Sequence, residues 1–383
     1  MPDRQYLITP GPTPIPPTVQ AAMAAPMMHH RSPDFRAVLS ETLEGLSQVF
    51  QTESPVVVLA GSGTAAMESA VVNLCSPGER VVVASAGNFG ERWAKIAGAY
   101  GLDVQHVQQE WGERLDPGRI ATAAQGATAV YVTHSETSTG VVHDVRAIAE
   151  ALQPTGSAVV VDAVSSLAGV DLRPDEWGID VVVGGSQKAL MTPPGLAFAS
   201  VSERAWGLCQ KATLPRFYLD WSAALRAQEK GDTAFTPPVS LILGLRTAIG
   251  LILELGLASC FANNRRLALG AREGVKALGL ELFSPDDPTS SMVTAFRMPA
   301  GVDGQQVYAT LRDRHGIVLA GGQGKLRGQI MRIGHMGYMN QFDIVTALAG
   351  LEFALAELGY RPPAPGIGAA RAVGVFGEMH GGG

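Results

Sequence analysis

The chain has 383 residues, 46% of them hydrophobic and only 17% charged, with a formal charge of −6. At about 150 residues per domain there is room for two or three domains and a large core. The low charge excludes a largely disordered chain, and the acidic balance argues against a nucleic-acid surface as the main business.

Residues 1–20 read as an N-terminal arm. The chain then alternates short β-branched runs with helical stretches. Pro55–Ala60 (PVVVLA) predicts a buried strand, followed by GSGT and an apolar-periodic helix, AAMESAVVNLC. Val81–Ser85 predicts the next strand and Gly90–Tyr100 the next helix. Thr128–Thr133, Ala158–Asp162 and Asp180–Val183 continue the series. Wholly apolar strands alternating with helices imply an α/β fold with a mainly parallel sheet covered on both faces. Ser240–Phe261 is apolar over nearly a membrane's thickness, yet it holds Arg246 and Glu254 and follows Pro237–Pro238. That is the pattern of a buried helix, and no membrane span is expected. From residue 262 a basic helix, two strands (MVTAFRM, GQIMRIG) and two further helices predict a smaller α+β domain ending near residue 360. Residues 361–383 read as a Gly/Pro-rich tail, which leaves 21–261 as the large domain.

The cysteines Cys75, Cys209 and Cys260 are scattered and odd in number, without a disulfide framework, a CxxC pair or a metal set. A reducing, cytoplasmic setting is expected, and the N-terminus has no signal-peptide core.

Chemistry concentrates at the ends of the apolar strands. Asp162 closes AVVVD, and Lys188 arrives 26 residues later through GGSQ, one strand on. Alone, Asp162 reads equally as a cap and Lys188 as a surface lysine. Together, at the carboxyl edge of a parallel sheet where such folds bind ligands, they fit pyridoxal-phosphate chemistry. A Schiff-base lysine must be a neutral nucleophile, which partial burial favours, and the pyridine nitrogen needs a carboxylate partner. Gly61-Ser62-Gly63-Thr64, between a strand and a helix, suits a phosphate cradle, though it lacks the nucleotide P-loop ending. Phe89 follows a strand among small residues. THSETSTG (133–140) places His134, Glu136 and Thr137 after a buried strand, and Arg332 in MRIGHMG offers a guanidinium for a carboxylate.

In this order GSGT, THSETSTG, VVVDAVSSL, GSQKALMTPPG, FTPPVS and RIGHMG resemble class V, fold-type-I aminotransferases. The resemblance is to the alanine–glyoxylate/serine–glyoxylate (serine–pyruvate) aminotransferase family over residues 6–360, and in particular to cyanobacterial members, some of which carry an older label as a hydrogenase subunit. It implies a seven-stranded-type sheet, pyridoxal 5'-phosphate and a homodimer with shared sites. By resemblance Lys188 binds the cofactor and shuttles the proton, and Asp162 pairs with the ring nitrogen. Val164 and Phe89 flank the ring, and Thr137 sits beside it. Ser62, Gly63, Thr64 and Gln187 hold the phosphate, joined by Thr236 from the neighbouring subunit. Arg332, helped by Ser166, takes the substrate carboxylate. The animal enzymes have Trp in place of Phe89 and a phosphate-binding Tyr near Thr233, so the latter role is not carried over. The implied reaction moves the amino group of alanine or serine to glyoxylate or pyruvate. Pyridoxamine–pyruvate transamination, cysteine-desulfurase chemistry and a non-catalytic hydrogenase-associated subunit are the alternatives.

Overall fold

A computed structural model describes residues 5–289 and 291–378. Residues 1–4 of the expected arm and 379–383 of the expected tail lie outside the described residues. The large domain is built on seven strands: β1 (Val56–Gly61), β2 (Arg80–Ser85), β3 (Asp103–Gln108), β4 (Ala129–Thr133), β5 (Ala158–Asp162), β6 (Val181–Gly185) and β7 (Gly195–Val201). Their order in the sheet is β1-β7-β6-β5-β4-β2-β3. Strands β2 to β6 pair in parallel, and β7 runs antiparallel to both neighbours. β4, β5 and β6 are buried on both faces, which is why they read as unbroken apolar runs. Thr133 pairs with Asp162 and Asp162 with Val183, so β4 and β5 end level at one edge and β6 runs on to Gly185.

Helix α1 (Pro33–Phe50) covers one face of the sheet. It starts where Ser32 accepts the Phe35 N–H and Pro33 presets the first turn. It buries Phe35, Val38, Leu39, Leu46, Val49 and Phe50 at helical spacing. Helix α2 (Gly63–Leu74) covers the other face with Ala66, Met67, Ala70, Val71 and Leu74. Its N-cap, Ser62, makes no side-chain capping bond. Helix α3 (Asn88–Ala99) begins two residues earlier than expected and carries Phe89 in its first turn.

The apolar stretch from Ser240 does not continue as one rod. Helix α4 (Val239–Leu255) ends at Gly256, in the left-handed region at φ +83, and helix α5 (Leu257–Ala277) leaves at 86°. Among the described residues no single helix is long and apolar enough to cross a membrane. α5 runs unbroken through residue 261, where the large domain was expected to end.

The small domain has an antiparallel sheet ordered β8-β10-β9, from β8 (Val293–Arg297), β9 (Ala320–Gly321) and β10 (Ile330–Gly334). Two expectations are corrected here. The segment read as a tail contains a helix, α6 (Ile367–Glu378), whose Ala372, Val375 and Phe376 join the small-domain core. Gly270 on α5 makes this close fit, since a Cβ there would overlap the Phe376 ring. The arm also belongs to the body: Ile8 sits in the same core, and Tyr6–Leu7 pair in parallel with Ile317–Val318.

Candidate active site

Three loops leave the carboxyl edge of β4, β5 and β6, and each brings expected residues to one place. Lys188 is 8% exposed and its Nζ donates to the carbonyl of Pro10 at 2.6 Å. Burial, and then the nearby Arg332 charge, push its ammonium down to about 8, while Asp162 pulls the other way. Asp162 is 4% exposed, and burial pushes its carboxyl up to about 6 against the Val164 N–H donated to Oδ1 at 2.9 Å. Both groups are thus held close enough to neutrality to change charge near pH 7.

Arg332 projects from β10, the central strand of the small sheet, and is 5% exposed. Its Nε and Nη2 donate to the carbonyl of Gly321 at 3.0 and 2.7 Å, and Nη1 donates to the carbonyl of Thr137 at 2.6 Å. Of the five guanidinium N–H bonds, one on each Nη remains, the pair a carboxylate takes in two-pronged fashion. Burial lowers the Arg332 pKa to about 10, so it is cationic at neutral pH. A cleft of 520 Å³, bordered by Thr9, Gly11, Gly321, Gln323 and Arg332, opens the site to solvent.

A phosphate-bearing ring fits what these loops present. The buried Oγ of Ser166 and Oε1 of Gln187 have no hydrogen-bond partner; the hydroxyl can donate to a ligand as it stands, and the Gln187 amide donates to a phosphate once its NH2 is turned that way. A Cβ on Gly185 would lie 3.0 Å from that Gln187 oxygen and 3.4 Å from Gly63, so Gln187 and the start of α2 face each other. There the first N–H groups of the helix, with no acceptor inside it, point outward as an anion site. A Cβ on Gly63 would lie 2.7 Å from Val164, which fixes Val164 beside the cradle.

The remaining expected residues divide. Thr137 is buried and meets Arg332 through its carbonyl. Phe89 is half-buried, with the Arg92 guanidinium 4.8 Å from its ring centre. Thr236 is not brought to Lys188 of its own chain. It lies exposed in a separate hollow with Tyr218, Gln228, Thr233 and Phe235. The cysteines sit on or at the ends of helices, and burial pushes each thiol up, Cys75 to about 12.

Four contributors escaped the sequence reading. Pro10 and Gly11 of the arm cover Lys188, and a Cβ on Gly11 would lie 2.5 Å from its Nζ. Thr13 ties the arm down by donating Oγ1 to the Lys188 carbonyl at 2.8 Å. Arg92 donates to Thr64 Oγ1 at 2.9 Å. Its position three residues after Phe89, hence on the same helix face, was the available signal.

A buried, softened amine facing a buried carboxylate across a phosphate cradle is what an aldehyde cofactor with a basic ring nitrogen requires. That puts the protein among the pyridoxal-phosphate enzymes of the two-domain α/β type. More narrowly, the chain belongs to the aminotransferase class-V family, whose profile matches residues 5–345. It is 43% identical to a soluble hydrogenase small subunit of Synechococcus, over 97% of this chain and 98% of that one. It is 34% identical to the serine–glyoxylate aminotransferase of Methylorubrum extorquens, over 96% of each. The crystal structure of the ureidoglycine–glyoxylate aminotransferase of Bacillus subtilis superposes with a TM-score of 0.92 at 31% identity, over 98% of this chain and 99% of that one. The protein is therefore a pyridoxal-phosphate-dependent transaminase.

Proposed function

We propose that this transaminase moves the amino group of a small L-amino acid, alanine or serine, to glyoxylate or pyruvate. It does so as a cytoplasmic homodimer in which Thr236 reaches the partner's phosphate. The observation that carries the reading is the convergence of Lys188, Asp162 and Arg332, from three separate elements, in one buried site. Glyoxylate as acceptor is supported by the names of the serine- and ureidoglycine-using relatives.

When bound, pyridoxal phosphate supplies an aldehyde carbon for amines and a ring that takes up the electron pair left by the departing Cα proton. The Ser62–Thr64 N–H groups and the Gln187 amide hold its phosphate, and Asp162 holds a proton at the ring nitrogen. With a pKa of about 8, roughly one Lys188 in ten is neutral at pH 7, and Nζ can form the tether and move the Cα proton. Arg332 binds the substrate carboxylate and so orients the Cα–H bond, with Ser166 Oγ a further donor. The arm over Lys188 excludes water from the amine.

Replacing Arg332 by Gln is expected to raise KM for the amino donor about 10- to 100-fold, the worth of charge-assisted hydrogen bonds. The visible absorbance of the bound cofactor should stay unchanged. Steady-state rates with alanine, serine and aspartate, each against glyoxylate and pyruvate, test the substrate assignment. The highest kcat/KM is expected for alanine or serine with glyoxylate. Preference for aspartate, or no turnover of either small donor, would overturn it.

A further inference from the structure

Glu136 is a fully buried carboxylate that the reaction described above does not use. Its Oε2 accepts the backbone N–H of Phe89 at 3.0 Å and of Gly90 at 2.9 Å. Its Oε1 accepts the N–H of Ser138 at 3.1 Å and the Ser138 hydroxyl at 2.5 Å. The same hydroxyl oxygen accepts the Asn88 N–H at 3.0 Å. Helix α3 has Gly87 at its N-cap and therefore no capping side chain of its own. Glu136 and Ser138, nearly fifty residues away in sequence, take over that task for Asn88, Phe89 and Gly90. Gly87 is the residue that permits the approach, because a Cβ there would overlap the Glu136 side chain.

Both carboxylate oxygens are occupied by donors, which is the pattern of an ionised group held by hydrogen bonds. Placed at a helix N-terminus, its charge is further stabilised. Burial works in the opposite direction and raises its pKa, while the three backbone N–H groups, which can only donate, favour the ionised form.

Two site residues hang from this one carboxylate. Phe89 lies in the capped first turn, and Thr137 lies between Glu136 and Ser138 with its carbonyl on Arg332 Nη1. Asn88 extends the link by donating Nδ2 to Gln323 Oε1, in the small-domain loop bordering the Arg332 cleft, at 3.3 Å.

We infer that Glu136 is a positioning residue of the transamination site: by clamping the start of α3 to the Thr137 turn, it sets the placement of the ring-side Phe89 and of the carboxylate-binding Arg332 together. The inference rests on the roles proposed above for those two residues. Glu136→Gln keeps the shape but sets an NH2 group against at least one backbone N–H, Ser138 on one side or Phe89 and Gly90 on the other, so the clamp loosens without an emptied cavity.

The test is made on the holoenzyme. Glu136→Gln is expected to raise the amino-donor KM about tenfold. The visible circular dichroism of the bound cofactor should weaken, while Lys188 still carries the cofactor. A shift in both readouts supports the inference, and an unchanged value in either overturns it. If Glu136→Gln does not fold, Ser138→Ala, which removes one of the four bonds and the Asn88 acceptor, should shift both readouts in the same direction by less. No shift there overturns the inference equally. Arg332→Gln run in parallel separates the two claims. If that variant keeps the wild-type donor KM, the substrate-binding role of Arg332 falls, and the dichroism of Glu136→Gln alone decides the role of Glu136.

Discussion

Lys188→Ala is expected to lose turnover by on the order of 10⁴-fold while the protein still folds, since in the proposed arrangement one change removes both the covalent tether and the group that moves the Cα proton. No neighbour can replace it: among the charged groups acting on Lys188, Arg332 and Arg92 are cations, Asp162 is committed to the ring nitrogen in the proposed arrangement, and both oxygens of Glu136 are held by hydrogen bonds to the start of α3 and to Ser138. Folding should survive for an electrostatic reason. An ordinary lysine titrates near 10.5, whereas this one is driven to about 8 by burial. Below pH 8 the cofactor-free folded state therefore bears the cost of a buried ammonium that the unfolded chain does not. That cost shrinks as pH rises from 8 to 10.5, so wild-type stability gains across this window. Lys188→Met, which keeps the volume without the charge, should melt no lower than cofactor-free wild type at pH 7, and its advantage should fade toward pH 10. Borohydride reduction followed by peptide mapping should find the cofactor on Lys188. Wild-type-like turnover of Lys188→Ala, or an adduct on another residue, would sink the assignment.

What was readable beforehand follows the same physics. β4, β5 and β6 are buried on both faces and so announce themselves as apolar runs, and the residues that end them, Asp162 above all, stand out by contrast. β3 was not legible. DVQHVQ lies at the sheet edge with polar residues facing water, and nothing in its composition separates it from a loop. The last helix was hidden by its own residues: GIGAARAVGVFGE is rich in glycine, which disfavours an isolated helix. Its formation depends on packing against α5, where Gly270 admits Phe376 and Gly274 approaches Gly368, contacts that no local pattern carries. Gly256 was visible in SLILGLRTAIGLILELGLASCF, but only its left-handed backbone reveals it as the break among the glycines there. At the site, Thr13 and Arg92 act through side chains but were missed because their partners lie far off in the sequence, and Pro10 and Gly11 were missed for a different reason. Pro10 contributes a carbonyl and Gly11 an absence of side chain, so neither leaves a signature of residue type.

Asp162→Asn should separate charge from shape. The amide is isosteric, and its oxygen can still accept the Val164 N–H that now meets Oδ1 at 2.9 Å. The local fold is therefore kept while the negative charge goes. With a pKa of about 6, roughly nine Asp162 carboxyls in ten are ionised at pH 7, and in the proposed arrangement that charge holds a proton at the ring nitrogen. Its loss should lower kcat by on the order of 10²- to 10³-fold. KM for the donor should change little, because Arg332 is untouched and the lost interaction strengthens only as charge develops in the transition state. The pH profile supplies a second, independent reading. Protonation of Asp162 gives wild type an acid limb no higher than about pH 6, since a cationic ring beside the carboxylate can only lower its pKa further. The Asn variant should lack that limb. Stability should move the other way: above pH 6 the ionised carboxylate, disfavoured by burial, costs the cofactor-free fold stability, a cost absent below its unfolded pKa of about 3.9. Cofactor-free Asp162→Asn should accordingly be no less stable than wild type at pH 7 while far less active. An Asn variant with unchanged kcat, or one that keeps the acid limb, would place the decisive negative charge on another residue.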